Sequence, residues 1–176
     1  VNVLATVVTP GFVGNPLVEW LVNQDNLYFS LIEAKPRERS KMESLRTFLS
    51  SDAEWWLMLN HYALPQFEMA HVPFDRSVFS ASMMRPMGMK IEEICGKEIR
   101  RDGQFMQTDF IGTGCLFMRR DVAEAIADTR PFEYQHDTLG NCTKSADATM
   151  SDRIMQAGHD LWVWDKRCLN RQEIFV

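Results

Sequence analysis

No apolar run in these 176 residues reaches the length of a membrane-crossing helix, so a helical span is excluded. The amino-terminal VNVLATVVTP lacks the basic region that opens a secretory leader, and a soluble, cytoplasmic protein is the expectation. Positive charge is in deficit. Nineteen Lys and Arg against 24 Asp and Glu leave a net charge of −5, which argues against a general nucleic-acid binder held by phosphate contacts. The basic clusters that exist (Arg37 to Lys41, Arg100-Arg101, Arg119-Arg120) are short and read as solvated faces. Cysteine is sparse: Cys95, Cys115, Cys142 and Cys168 include no C-x-x-C pair, which speaks against a zinc site. Cys115 and Cys168 sit in apolar company and read as core thiols. Asn141-Cys142-Thr143 matches a glycosylation sequon but has no secretory context. Repeats, linkers and low-complexity stretches are missing too, leaving residues 1–176 as a single domain.

What is present is core material. The chain is 45% apolar, enough for one buried core, and its 11 methionines include a cluster at Met83, Met84, Met87 and Met89 that suits adaptable packing. VNVLATVV reads as a buried strand ended by Thr9-Pro10-Gly11. Asn15 then caps a helix with Pro16 at its first position and Leu17, Val18, Leu21 and Val22 facing inward. NLYFSLIEA is a second strand, and Glu38 to Ser50 a second helix with Met42, Leu45, Phe48 and Leu49 at helical spacing. Trp55 to Leu59 is the third strand. This order predicts an α/β fold with a parallel sheet wrapped by helices.

Further along, SVFSASMM predicts a strand, and RPMGMKIEEICGKEIRRDGQFMQ an irregular stretch or hairpin with turns near Gly88 and Gly103. DFIGTGCLFMRR predicts a strong strand with glycines at its middle, where a neighbour approaches the backbone. Asp121 caps a short helix, and residues 131–143 form a polar loop. Ser145 or Asp147 opens a helix that runs to Ala157 and stops at Gly158. DLWVWD is the last strand, followed by a polar tail. Trp55 and Trp56 alternate across their strand and Trp162 and Trp164 share a face of theirs, so both pairs read as core residues.

The third strand runs into Asn60, His61, Tyr62 and then Pro65. In open α/β sheets ligands bind just past the carboxyl ends of the strands, so this loop is the first place to look for a site. Four blocks together resemble the GT-A type of nucleotide-sugar glycosyltransferase, from Val3 to about Arg171: the strand ending in TPG; LRTFLSSDAEWWLMLNHYALP; DFIGTGCLFMRRDVAEAI; and SADATMSDRIMQAGHDLWVW. The resemblance implies a single-domain, Rossmann-like α/β fold with a mixed, mainly parallel sheet flanked by helices. It implies a nucleoside-diphosphate sugar as donor and a glycan or other hydroxyl compound as acceptor. Thr9 and Pro10 would face the nucleotide, Asn60 would hydrogen-bond its ribose or base, Tyr62 would pack or hydrogen-bond in the donor site, and Thr113 and Gly114 would border the sugar. Asp147 would be the general base of an inverting transfer, or else a helix N-terminal residue serving the dipole.

The departures fall at site positions. Mn or Mg would be expected for the family, yet the paired aspartates that hold it are replaced by Asn60, His61 and Tyr62. His61 is an outside candidate for a metal ligand, without a second histidine or carboxylate adjacent. The family's arginine-asparagine pair appears as Lys41-Met42, and its acidic pair as Ala146-Asp147. The late metal-binding histidine falls at Arg171, which either offsets diphosphate charge, helped by Lys166 and Arg167, or belongs to a solvated tail. His136 and Asp137, in the polar loop, are candidates for touching the acceptor. Two readings of function follow: a transferase-like domain without its metal, or a degenerate or redesigned GT-A scaffold that binds or supports without catalysis.

Overall fold

The computed structural model describes residues 1–33, 36–87, 90–94 and 96–170, without the side chains of residues 37, 85–87 and 90–94. It begins with β1 (Val3–Thr9), α1 (Asn15–Val22), β2 (Leu27–Glu33), α2 (Arg37–Leu49) and β3 (Trp55–Asn60), the strand–helix alternation expected. β1 pairs in parallel with β2 on one side and β3 on the other. The chain continues through β4 (Ala63–Pro65), β5 (Val78–Met87), β6 (Lys90–Ile94), β7 (Glu98–Asp102) and β8 (Phe105–Thr108). Then follow β9 (Cys115–Arg119), α3 (Arg120–Ile126), β10 (Gln135–His136), β11 (Cys142–Lys144), α4 (Ala146–Gln156) and β12 (Leu161–Asn170). The main sheet has the order β2-β1-β3-β9-β5-β12-β8-β7, with β4 beside β12 and β6 beside β5. It is mixed: β5 and β12 are parallel like the β2-β1-β3 unit, while β9 runs antiparallel to β3 and to β5.

Alternation along the strands builds a core on each face of the sheet. Trp55, Leu57 and Leu59 of β3 join Val3, Ala5 and Val7 of β1, Leu17 and Leu21 of α1, and Phe117 and Trp164. Trp56 and Met58 point the other way, into a second cluster with Leu45 and Phe48 of α2, Val122 and Ile126 of α3, and Met150 and Ile154 of α4. β3 is thus buried on both faces, which is why it reads as a continuous apolar run rather than an alternating one. Each fully buried side chain of this size contributes about 1.5–3 kcal/mol. Trp56 stacks on Phe48 with ring centroids 5.8 Å apart, and its indole N–H donates to Thr6 Oγ1 at 2.7 Å, so its one polar atom is satisfied. Trp162 and Trp164 share the first cluster, as their spacing predicts.

Local details differ from the sequence reading. Asn15 is not a cap but the first helical residue; Gly14 is the N-cap, and its carbonyl accepts from Leu17 and Val18. Asp121 lies inside α3, where Oδ1 accepts from the Val122 N–H at 2.9 Å, and Arg119 holds the cap position. In DFIGTGCLFMRR the glycines precede the strand instead of interrupting it, because the chain turns at Thr113-Gly114 before β9 begins. β12 runs on to Asn170 through a bulge between Trp164 and Arg167 that breaks the apolar alternation and hides the extension in the sequence. The predicted turn near Gly103 joins β7 to β8, with Gly103 at φ 59; the one near Gly88 lies outside the described residues.

Candidate functional site

β1 and β3 are parallel neighbours in register Val8↔Asn60, so their carboxyl ends open on one edge of the sheet. β9 runs antiparallel to β3, pairing Cys115 with Leu59, so the turn before β9 arrives at that same edge. The Asn60 N–H donates to the Gly114 carbonyl at 3.2 Å. A β-carbon at Gly114 would lie 2.7 Å from Met83 Cε and 3.6 Å from Asn60 Nδ2, so a side chain there requires the end of Met83 to shift. The amide of Asn60 donates to Tyr62 Oη at 2.9 Å. His61 is anchored to the end of β1, its N–H 3.1 Å and its Nδ1 3.3 Å from the Val8 carbonyl. Burial lowers the His61 pKa, opposed by the Val8 carbonyl. Its ring meets Phe12 and Tyr62 edge-on, at centroid distances of 5.8 and 5.0 Å. Thr9 is buried; its hydroxyl donates to the Phe12 carbonyl and accepts from the Gly11 N–H at 3.3 Å, while Pro10 stands exposed beside it.

α4 brings the carboxylate. Ser145 caps the helix by accepting from the Ala148 N–H at 3.2 Å, which places Asp147 in the first turn. Ser151, one turn on, accepts from the Ile111 N–H at 3.2 Å and donates to the Asp147 carbonyl at 2.9 Å, fastening α4 to the turn before β9. The Asp147 carboxylate therefore faces Thr113, accepting from its N–H at 3.3 Å and its hydroxyl at 3.0 Å. The third partner is Lys41 of α2, whose ammonium pairs with Asp147 Oδ1. The Lys41 side chain is 10% exposed and that of Asp147 is 28% exposed.

Of the candidates, Asn60, Tyr62, Thr113, Gly114 and Asp147 converge, with Thr9 and His61 at the adjoining end of β1. Lys41 joins this cluster without any local signal in the sequence, because 106 residues separate it from Asp147. His136 and Asp137 stand exposed on the β10–β11 hairpin, apart from that hydrogen-bonded cluster. Asp137 shapes its own turn, accepting from the Leu139 N–H, the Asn141 N–H and the Asn141 amide, each at 2.9 Å. These bonds, the Asn141 amide first, hold its carboxyl below the usual carboxylate range. Arg171 lies outside the described residues. Arg167 lines a different hollow of about 200 Å³ with Ser82, Arg101 and Asp165.

The donor set does not suit the divalent cation that the resemblance implies. Mn and Mg favour oxygen ligands, above all carboxylates, whereas the strand end offers an amide, an imidazole turned to a carbonyl and a phenol that accepts from that amide. Among the described residues, no group of three or more His, Cys, Asp or Glu is placed to hold a metal.

Neither a protein family nor a curated protein is matched by the sequence. The fold, by contrast, has solved counterparts. It is similar to the crystal structure of A197 from STIV, with a TM-score of 0.66 at 14% identity, over 94% of this chain and 82% of that one. It is also similar to the crystal structure of a glycosyltransferase involved in the glycosylation of the major capsid of PBCV-1, with a TM-score of 0.50 at 13% identity, over 93% of this chain and 81% of that one. At such identities the likeness is one of fold.

Proposed function

We propose that this chain is a glycosyltransferase-like domain of GT-A type that binds a nucleoside-diphosphate sugar across the carboxyl ends of β1 and β3. The observation that carries this reading is the meeting of Asn60, Thr113-Gly114 and Asp147 at that edge, from three parts of the chain. The fold likeness to a glycosyltransferase supports it. Thr9 and Pro10 would border the nucleotide, Asn60 and Tyr62 its base or ribose, and Thr113 and Gly114 the sugar. His136 and Asp137, on the hairpin leading to α4, would meet the acceptor, and Arg171, outside the described residues, would offset diphosphate charge. In transfer, Asp147 would take the proton of an acceptor hydroxyl while that oxygen bonds to the anomeric carbon. The bond from that carbon to the diphosphate oxygen breaks, and its electron pair leaves with the diphosphate. No step is assigned to a metal.

A second reading, a binding or structural domain without catalysis, is favoured by the state of Asp147. A carboxylate offers about four lone-pair positions, and Lys41 and Thr113 use three of them. Calorimetric titration with uridine and guanosine diphosphates, each with and without Mn²⁺, separates the two. Binding of at least one nucleotide is expected, with no requirement for Mn²⁺. No binding of either under any condition would leave the scaffold reading standing.

A further inference from the structure

Lys41 is the most buried cation among the described ion pairs, and it is kept at the ligand edge rather than in the core. Holding an ammonium out of water is unfavourable unless it is paired, and here Asp147 is the partner. The Phe132 ring, 6.0 Å away, offers only a weak supplement. Thr113, which would border the donor, shares the same carboxylate. A charge is thus stored beside the place where a diphosphate would bring its own.

We infer that Lys41 is an exchangeable counter-cation: it neutralises Asp147 in the free protein and turns to the diphosphate when a nucleotide binds. The inference rests on the donor-site reading above and adds its charge partner. Lysine suits the exchange, since its four-carbon stem is flexible and its ammonium serves any of several oxygens, whereas arginine's fork is fixed. The diphosphate carries more negative charge than one carboxylate and competes for Lys41. The same movement has two effects: the phosphate oxygens gain a cation where the family would place a metal, and Asp147 Oδ1 loses one of its two partners, keeping the Thr113 hydroxyl. Donor binding would in this way prepare the group that receives the acceptor's proton, and the order of binding would be donor first.

The exchange makes a prediction in signs. Asp147 competes with the ligand for Lys41, so Asp147→Asn is expected to bind pyrophosphate and uridine diphosphate about tenfold more tightly in EDTA, as suits one charged hydrogen bond no longer sacrificed. Lys41→Met is expected to bind them at least tenfold more weakly, and Lys41→Arg to keep part of the affinity. The measurement is calorimetric titration of the full chain and each variant, with near-ultraviolet circular dichroism as the check on folding. Should Lys41→Met fail to fold, Lys41→Gln takes its place, since removing the Asp147 charge tightens anion binding by the local field alone and only loss of the lysine tests the exchange. Equal affinities in all variants, or losses in both, overturn the exchange while leaving the donor site in place. Nucleotide binding that requires Mn²⁺ does the same. Absence of nucleotide binding with and without Mn²⁺ overturns the donor site and the exchange together.

Discussion

His61 shows how one side chain can report on the strand end that holds it. Its ring is half-buried beside Phe12 and Tyr62, and burial favours the neutral form. The unfolded chain takes up a proton near the ordinary value of 6.5, while the folded chain resists until a lower pH. Between those two points the unfolded state binds more protons, so stability falls as pH is lowered through that window and levels off beneath it. Urea melts at pH 8 and pH 5 are expected to show a larger acid loss for wild type than for His61→Gln, the other histidines cancelling in the comparison. Identical losses would mean that the ring is not held neutral by its surroundings. At the same scale, what the sequence discloses is uneven. Asn60 at a strand end and Asp147 at a helix start lie in patterns that local spacing reveals, whereas spacing puts Thr113 and Gly114 inside a strand and only the family resemblance marks them as a turn. The Lys41–Asp147 pair lies in no such pattern, because a contact across 106 residues leaves no trace in spacing.

Elements were legible in proportion to their burial. β3 announces itself through five consecutive large apolar residues, and α4 through its Gly158 stop at φ 87 and a start at Ser145 or Asp147, of which Ser145 is the cap. β12 was half legible, since its polar stretch after Trp164 follows a bulge that alternation cannot describe. β2 is a different case. It was found, but its setting was not: it lies at the end of the sheet order, pairing among the described residues with β1 only. Tyr28, Phe29 and Leu31 are 66%, 43% and 54% exposed along it. An edge with free backbone groups and large apolar side chains invites pairing with another chain, and lysine is the usual deterrent. Light scattering is expected to show mass rising with concentration for wild type, and Leu31→Lys holding the single-chain mass. An exposed substitution of this kind shifts stability by no more than about 0.5 kcal/mol, so any change in mass is not a consequence of unfolding. A wild type that keeps one mass throughout would show the edge to be harmless.

For the whole molecule, two cores back to back leave few paths for reagents. Cys115 and Cys168 are completely buried, and burial, reinforced by its neighbour Cys168, pushes the Cys115 thiol well above its ordinary value. Burial keeps both thiols from the reagent, and for Cys115 the scarcity of thiolate adds to it, whereas Cys142 is exposed. Peptide mapping after iodoacetamide is expected to find Cys142 modified in native buffer, and Cys115 and Cys168 modified only in denaturant. Equal labelling of Cys115 and Cys142 would show the sheet opening faster than the reagent reacts. The placement of β12 has a consequence for synthesis. It lies between β5 and β8, and its far end holds β4. Ribosomes deliver β5 and β8 long before it, at about 5–20 residues per second, so the nascent sheet stands parted along its middle. Asp147 is made only shortly ahead of β12, so the seam and the edge where Asp147 meets Thr113 are finished by one stretch of translation that follows β8. A chain interrupted before that stretch carries strands enough to aggregate and lacks the closed sheet.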